Sequence, residues 1–496
     1  MDVLIKTAFL GVFVFIFWKL GSFLLNYIKL CVKLRNVPQK KAHWLAGHAK
    51  EVKDSVTYFK YADDLMKEGN KIYCIWNGPF PLVGVCHPET FQQLNKQALN
   101  KSREIDGPYR LIEPWVGEGL LVSGSQKWER NRRLLTPAFH FDILNGYVTV
   151  MNDVADIFLN KIYESSQKNG SVDVCLYVCR ATLDNMLRCS LSYDGSMQEN
   201  VEHTYVKAVQ KLATIIWHRM TSAPLLFDFV FNLSPSGRDH NKLVKEVHKF
   251  TGEIIAKRQK LLADQPDLTK LKRRLDFLDI LLTAKDEQGR GLSPQEIQNE
   301  VDTFTFEGHD TTASAISYAI YALGQYPEIQ EKVYQDVINV ADDVDEITQN
   351  EMNQFKYLPQ FIKEVMRFYS TVPLISRQSS KEVVLDGKTV PPNIRIDINL
   401  RAILHNPEIW KCPEVFDPCR FNTERRDSNE IYGFIPFSAG SRNCIGQVFA
   451  NNEIKIVLAK LVKRYEVLPV KGHKHELLPD IVMRSFTGLP VTLKSR

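Results

Sequence analysis

The feature that most constrains this chain is a short loop around one cysteine, FSAGSRNCIG, at residues 437–446. An apolar helical pattern begins directly after it, so Cys444 lies just before a helix N-terminus, where backbone N–H groups stabilise a thiolate. Gly440 and Gly446 allow the backbone to approach a flat cofactor closely, and Arg442 offers a charged donor to an anionic edge group. A lone cysteine is usually a small buried apolar residue, but this glycine- and serine-rich loop favours a ligand instead.

The loop resembles the haem-binding signature F-x-x-G-x-R-x-C-x-G of the cytochrome P-450 family, which it matches at every fixed position. Four further elements of that family occur in the family's order. They are W-x-x-x-R at 128–132, the oxygen-activation element at 308–312, E-x-x-R at 364–367 and P-x-R-F at 418–421. The resemblance extends from about residue 38 to the end of the chain. It implies the cytochrome P-450 fold, mainly α-helical with small β-sheets, and a haem b cofactor.

The same resemblance assigns the residues that would hold the haem. Cys444 would be the proximal thiolate ligand of the iron, pushing electron density onto it in a way that favours O–O cleavage. Phe437 would pack beside the sulfur. The donors to the haem propionates would be Trp128, Arg132, Arg377 and Arg442. Trp128 and Arg132 are four residues apart and so share a helix face, although a surface Trp–Arg pair has the same spacing.

A charge cluster is predicted behind the haem. Glu364 and Arg367 are three residues apart on a helix and share a face. By resemblance they join Arg420 in a cluster that serves folding and haem retention. Many family members carry an acidic residue where this chain has Cys419. Because Arg420 is kept, we expect the cluster to be intact.

A long helix is predicted from Pro294 to about Gly324. Ser293 and Glu296 form a capping box, with proline at the first helical position. In the middle of this helix, residues 308–312 include one Gly, one Asp and two Thr, which are poor helix formers. We therefore expect a local opening with a function, and the alternative is a tolerated polar patch.

Three residues of this helix carry the chemistry that the resemblance implies. Asp310 and Thr311 match the acid–alcohol pair that delivers protons to iron-bound dioxygen, the hydroxyl holding water and the carboxylate relaying protons from solvent. Glu307 stands where most members carry Ala or Gly. The sequence FEGHDTT at 306–312 resembles the family-four fatty-acid omega-hydroxylase branch, in which this Glu can form an ester to a haem methyl. We expect that link at Glu307, and an unlinked glutamate near the haem is the alternative.

Residues 1–30 predict a membrane anchor. The stretch TAFLGVFVFIFW at 7–18 carries no charge, and with residues 20–28 it reaches the roughly 20 residues that cross a bilayer. The alternatives are a cleaved signal peptide, for which no A-x-A site follows the apolar run, and a buried amphipathic first helix. Basic residues cluster at 29–41, so the positive-inside rule leaves the rest of the chain in the cytosol. We expect a single-pass protein of the endoplasmic reticulum membrane.

Composition limits the remaining possibilities. The 496 residues carry a net charge of only +5, which does not suit a chain built to bind nucleic acid. The nine cysteines include no C-x-x-C pair, which argues against a zinc site and a disulfide-stapled secreted protein. Length alone suggests about three domains. Because the haem elements span 128–444, we instead predict one catalytic domain at 51–496, joined to the anchor by a basic, proline-containing linker at 31–50.

Strand patterns occur near both ends of the predicted domain. Residues 71–76 and 81–85 predict a hairpin. Residues 374–400 predict strands with a turn at Asp386 and Gly387, and residues 477–493 predict short strands.

The resemblance implies an NADPH-dependent haem-thiolate monooxygenase that inserts one oxygen atom from O2 into a C–H bond of a small lipophilic substrate. Omega-hydroxylation of fatty acids or related lipids is favoured. The alternatives are a steroid or xenobiotic monooxygenase, a reductase-independent haem-thiolate isomerase or dehydratase, and a non-catalytic haem or lipid carrier. The intact Asp310–Thr311 pair argues against the isomerase.

Partners and substrate contacts follow from the same resemblance. Electrons would come through the membrane-bound NADPH–cytochrome P-450 reductase, with cytochrome b5 as a further partner. Lys411 and Lys455 would contribute to docking, although a solvated charged surface has the same pattern. The segments expected to line the substrate cavity are 107–121, 215–231, 372–375 and 485–489.

Overall fold

The computed structural model describes residues 2–97, 99–199, 204–265, 275–422 and 432–496. Most of these residues are helical. The helices are α1 Asp2–Leu34, α2 Ser55–Lys67, α3 Pro88–Asn95, α4 Pro108–Val116, α5 Ser125–Leu135, α6 Phe141–Asn169, α7 Val174–Ser190, α8 Thr204–Thr221, α9 Asp228–Leu233, α10 Pro235–Asp264, α11 Phe277–Thr283, α12 Pro294–Gln325, α13 Pro327–Ala341, α14 Gln349–Gln354, α15 Tyr357–Tyr369, α16 Leu400–Leu404 and α17 Gln447–Arg464.

The strands are short, and all but the third in chain order lie before residue 86 or after residue 373. They are β1 Ile72–Asn77, β2 Phe80–Val85, β3 Val172–Asp173, β4 Leu374–Gln378, β5 Val383–Leu385, β6 Lys388–Val390, β7 Arg395–Asn399, β8 Tyr465–Pro469, β9 Leu477–Pro479, β10 Met483–Ser485 and β11 Pro490–Ser495. The mainly α-helical class with small sheets is therefore confirmed.

The largest sheet has the strand order β1–β2–β7–β4. β1 and β2 form the predicted antiparallel hairpin, and β7 pairs parallel to β2 and antiparallel to β4. The predicted turn at Asp386 and Gly387 joins β5 to β6, where both residues have positive φ. Pairing of β4 with β7 places Arg377 opposite Ile396, at the edge of the helical part. A separate hairpin of β9 and β10 pairs Pro479 with Met483.

The long helix α12 runs through the centre of the protein. Its predicted capping box is present: Glu296 N donates to Ser293 Oγ at 3.2 Å, and Ser293 N donates to Glu296 Oε2 at 2.8 Å. Most of its residues are buried, and it packs against α7, α15 and α17. A Cβ on Gly308 would lie 2.6 Å from Met186 Sδ, so glycine permits the close approach of α7. The helix is continuous, and the expected local opening is not seen.

The predicted charge cluster behind the site is confirmed. Arg367 Nε and Nη2 donate to the two oxygens of Glu364 at 2.7 and 2.8 Å, and neither side chain is exposed. Arg420 Nε donates to Glu364 Oε1 at 3.2 Å. Arg367 Nη1 also donates to the carbonyl of Leu404 at 3.1 Å. The cluster thereby ties α15 to α16 and to the segment before 422.

The N-terminal helix α1 stands apart from this core. Within the described part of the chain, Ile5–Leu34 is the one helix long and apolar enough to cross a membrane, with a mean hydropathy of 2.1 and none of its apolar window buried. Phe13 and Trp18 are 64% and 63% exposed. The alternative of a buried first helix is therefore wrong. α1 is a candidate membrane anchor.

Candidate active site

A largely apolar cavity with about 300 Å³ of free volume lies between α12 and the loop 437–446. Ile112 of α4, Trp217 of α8, Phe306 of α12 and Phe449 of α17 contribute to its walls. The predicted cofactor-binding residues all line it, namely Trp128, Arg132, Glu307, Arg377, Phe437, Arg442 and Cys444. The fold therefore brings together residues from α5, α12, β4 and the cysteine loop.

Cys444 lies at the floor of this cavity. Its backbone N donates to the carbonyl of Phe437 at 3.0 Å, which closes the loop, and Gly446 is the N-cap of α17. The side chain is exposed, but the surface it exposes is that of the cavity. Burial within the protein raises the pKa of the thiol to about 11, while a backbone hydrogen bond at Gly446 and the charge of Arg132 act in the opposite direction. Without a bound cation this thiol stays protonated at neutral pH.

The loop reaches Cys444 through a residue that must be glycine. Gly440 has φ of +75°, and a Cβ there would lie 2.6 Å from Asn95 Oδ1. Both the left-handed backbone and the contact with α3 exclude a side chain at this position.

Four cationic side chains line the cavity: Lys101, Arg132, Arg377 and Arg442. Their hydrogen bonds go to neutral groups. Arg132 donates to the carbonyl and side-chain oxygens of Asn443 at 3.2 and 3.0 Å. Arg442 donates to the carbonyl of Ser123 at 2.9 Å, and Arg377 donates to the carbonyl of Ser376 at 3.0 Å. Lys101 donates to Tyr109 Oη at 3.0 Å. Among the described residues, none of the four forms an ion pair with a carboxylate.

Burial of these cations has an electrostatic consequence. Desolvation, reinforced by the charge of Arg377, lowers the pKa of Arg442 to about 10, and burial also lowers the pKa values of Lys101 and Arg377. The Arg442 guanidinium lies 3.9 Å above the ring of Trp128, which offsets part of that cost. Uncompensated buried cations favour an anionic ligand.

Glu307 faces the same cavity from α12. Burial raises the pKa of its carboxyl to about 7, partly opposed by the charge of Lys101. Its carboxylate makes no hydrogen bond within the described ranges of the chain. A carboxyl that has no hydrogen-bond partner among the described residues is available to interact with a ligand in the cavity.

The acid–alcohol pair is divided between two environments. Thr311 lines the cavity, and its Oγ1 donates to the carbonyl of Glu307 at 2.8 Å. Asp310 is buried and does not line the cavity, because both of its oxygens accept from Nη2 of Arg484 at 2.8 Å. Adjacent residues of a helix point about 100° apart, which allows Asp310 to face Arg484 while Thr311 faces the cavity.

Three of the four predicted lining segments contribute to the cavity, through Tyr109, Trp217 and Leu374 among others. The fourth prediction, residues 485–489, is wrong. The turn of the β9–β10 hairpin lines the cavity instead, through Asp480, Ile481 and Val482. A hairpin presents its turn at one end, and residues beyond β10 lie at the other, where Phe486 is 61% exposed.

The two lysines predicted to dock a partner differ in their surroundings. Lys411 is exposed, whereas Lys455 is half-buried and its Nζ donates to the carbonyl of Met352 at 3.2 Å.

Sequence reasoning missed four charged residues near the site: Lys101, Glu453, Asp480 and Arg484. Glu453 is buried beneath α12, and burial raises the pKa of its carboxyl to about 8, against hydrogen bonds from Asn185 and Thr312. A carboxylate among the apolar positions of the helix after Cys444 was a signal that could have identified it. The other three have no local pattern, since only tertiary packing brings them to the site.

The family model described as cytochrome P450 matches residues 37–487 of this chain. The chain belongs to the cytochrome P450 family. Human cytochrome P450 4F12 is 36% identical over 92% of this chain and 89% of its own length. Cytochrome P450 4A2 of Rattus norvegicus is 36% identical over 98% of this chain and 95% of its own. Leukotriene-B4 omega-hydroxylase 3 of Mus musculus is 38% identical over 92% of this chain and 89% of its own length.

The cavity of this cytochrome P450 suits haem, the cofactor that the family implies. No group of three His, Cys, Asp or Glu side chains among the described residues could hold a metal ion. An iron held by Cys444 would take further ligands from the haem macrocycle. The cations that lack carboxylate partners match the charge of the two haem propionates. A bound metal ion would also stabilise the thiolate form of Cys444.

Proposed function

We propose that this cytochrome P450 is a membrane-anchored monooxygenase that hydroxylates the terminal carbon of a fatty acid or related lipid. The observation that carries the proposal is one apolar cavity that contains Cys444 on its floor and Glu307 with Thr311 on the facing helix. The similarity to a leukotriene-B4 omega-hydroxylase supports the same reaction class.

The protein residues would hold haem from several directions. Cys444, which lines the cavity with Phe437, would supply a thiolate to the iron, and Phe437 would pack beside it. Arg132, Arg377 and Arg442, with Trp128, hold the propionates. When bound, haem supplies the reductive activation of O2 and the insertion of one oxygen atom into a C–H bond.

We further propose that Glu307 becomes esterified to a haem methyl group. The new bond would join a carboxyl oxygen of Glu307 to the methyl carbon, while the carboxyl O–H bond and one methyl C–H bond break and together release two protons and two electrons. An oxidant formed from O2 during turnover takes up both electrons. A haem fixed in this way would stiffen the cavity, so that a terminal methyl is held near the iron although C–H bonds further along the chain are weaker.

Proton supply is the task of α12. Thr311 would hold a water molecule through its hydroxyl, and Asp310 would relay protons to it from solvent. Since Asp310 is paired with Arg484, its carboxylate must exchange this partner for water during each relay step.

Electrons would come from NADPH through NADPH–cytochrome P-450 reductase, with cytochrome b5 as a second donor. The exposed Lys411 would contribute to the docking surface. Residues 1–30 would anchor the protein in the endoplasmic reticulum membrane, and a linker at 31–50 would hold the cytosolic domain at 51–496 beside the bilayer, where lipid substrates dissolve.

Product analysis tests the reaction. Purified holoprotein with reductase and NADPH is incubated with fatty acids of graded chain length, and the hydroxylated position is determined by mass spectrometry. Terminal hydroxylation is the expected result, and in-chain products alone contradict it. Turnover of a lipid peroxide without NADPH would identify an isomerase, and a reduced carbon monoxide spectrum without the thiolate band would identify a carrier.

A further inference from the structure

Lys101 is a cation of the cavity that lies outside the haem motifs of the sequence. It follows α3, is half-buried and lines the same cavity as Glu307. Its Nζ donates to Tyr109 Oη at 3.0 Å and lies 4.4 Å from the centre of that ring. Among the described residues this is its one side-chain hydrogen bond, whereas an ammonium group has three N–H donors. Lys101 therefore keeps donors for a second partner in the cavity.

Glu307 is a carboxyl of the cavity whose oxygens are free to take such a partner. It is half-buried, and within the described part of the chain it joins neither a hydrogen bond nor an ion pair through its carboxyl oxygens. The charges of Lys101 and Glu307 act on each other, and both act on Cys444. The ammonium and the carboxyl therefore lie near one another and near the cysteine, without direct contact.

The charge of Lys101 favours the ionised form of Glu307. Burial raises the pKa of this carboxyl to about 7, and the charge of Lys101 opposes that shift. Glu300 of the same helix and Cys444 are the other titratable groups whose charges interact with Glu307, and both are negative when ionised. Of the cations that line the described cavity, Lys101 is thus the one whose charge stabilises a carboxylate at Glu307.

We propose that Lys101 is the positioning residue for the ester between Glu307 and haem, holding Glu307 as a carboxylate near Cys444 until the bond forms. This inference rests on the proposed function. Lysine suits the task because its ammonium is a compact charge on a flexible stem, which can turn from Tyr109 toward a second acceptor. From the carboxylate, the step forms one O–C bond and breaks one methyl C–H bond, releasing one proton and two electrons. The proton passes to water, and the oxidant formed from O2 takes up both electrons.

Lys101→Met tests the proposal in the haem-loaded full chain. Wild type and variant turn over with reductase and NADPH until equal amounts of O2 are consumed, and denaturing chromatography then measures the share of bound haem that stays with the protein. We expect this linked share to fall several-fold in Lys101→Met and to be largely kept in Lys101→Arg, which retains the charge. Lys96→Met, at an exposed lysine five residues earlier, should match the wild type. An unchanged linked share in Lys101→Met overturns the proposal.

Two further readouts separate this role from others. If Lys101 instead binds a propionate, Lys101→Met should lose haem while the linked share of the remaining haem is unchanged, and that result also overturns the proposal. At about pH 9 the carboxyl ionises without the ammonium, so the deficit of Lys101→Met should be smaller than at neutral pH. A deficit that is equal at both pH values contradicts the proposal.

Failure of this inference is distinguishable from failure of the proposed function. Complete release of haem from the turned-over wild type contradicts the ester itself and this inference with it. Linkage that survives undiminished in Lys101→Met contradicts the role of Lys101 alone. Terminal hydroxylation of fatty acids is measured separately and depends on neither result.

Discussion

Nη2 of Arg484 lies 2.8 Å from each carboxylate oxygen of Asp310. This ion pair joins the β9–β10 hairpin to the middle of α12. Two further contacts reinforce the junction, since Ser314 Oγ donates to Met483 O at 2.8 Å and Tyr318 Oη donates to Arg484 O at 2.6 Å. The hairpin whose turn lines the cavity is therefore fixed to the helix that carries the acid–alcohol pair.

Replacement of Arg484 by Gln should impair both stability and turnover. It leaves the buried Asp310 carboxylate without its cation, which should cost about 3 kcal/mol in the free energy of unfolding. Because the relay group loses its fixed position, a larger share of NADPH should be consumed as hydrogen peroxide or water rather than as product. Denaturant unfolding and the ratio of product to NADPH consumed measure the two effects.

The control for that substitution is Lys494→Gln. Lys494 forms an exposed ion pair with Glu466 on a neighbouring strand. Its replacement should therefore change the free energy of unfolding by less than about 1 kcal/mol. Unaltered coupling of NADPH to product in Arg484→Gln would show that Arg484 has no part in the relay.

Arg132 and Arg133 form a matched pair for haem retention. Arg132 lines the cavity, whereas Arg133 is exposed and pairs with Glu287 at 2.5 Å. Arg132→Leu should release haem to apomyoglobin several-fold faster than the wild type, because it removes one of the cations proposed to bind the propionates. Arg133→Leu should release it at the wild-type rate, and equal rates in the two variants would contradict the assignment of Arg132.

The ester at Glu307 is tested by denaturing chromatography after turnover. Wild-type protein should retain a covalently bound fraction of haem, and Glu307→Gln should release all of it, since an amide oxygen cannot form the ester. Glu300→Gln is the control, because Glu300 is a buried carboxyl of the same helix that accepts from Leu120 N and does not line the cavity. Free release of haem from the turned-over wild type shows that no link forms.

Glu453 predicts a pH dependence of stability. Burial raises the pKa of its carboxyl from 4.5 to about 8. As pH rises, the unfolded chain therefore loses this proton at a lower pH than the folded protein does. Stability should therefore be full below pH 4.5 with respect to this group and fall as pH rises toward 8, by at most about 1.4 kcal/mol for each pH unit.

Thermal unfolding at pH 5 to 8 measures this loss of stability. In Glu453→Gln, stability should fall less steeply with pH than in the wild type. Glu466→Gln, at a half-exposed carboxylate paired with Lys494, serves as the control. An identical slope in wild type and Glu453→Gln would assign the pH dependence to other groups.

Local signals predicted several parts of the fold well. The capping box at Ser293 and the proline after it located the start of α12, and the strand-like runs 71–76 and 81–85 located the first hairpin. Both depend on contacts between residues close in sequence. The local opening of α12 was predicted from propensity and is absent, because packing on nearly all sides of the helix outweighs the preference of a few residues.

The sequence by itself determined the family and the residues around Cys444, since their motifs are short and each is read within a few positions. Only the tertiary structure decided that Asp310 faces Arg484 rather than the cavity, that Lys101 joins the cations around the cysteine, and that the turn of the β9–β10 hairpin lines the cavity. Charges at such separations along the chain interact only through the packed core, whose geometry no local pattern records.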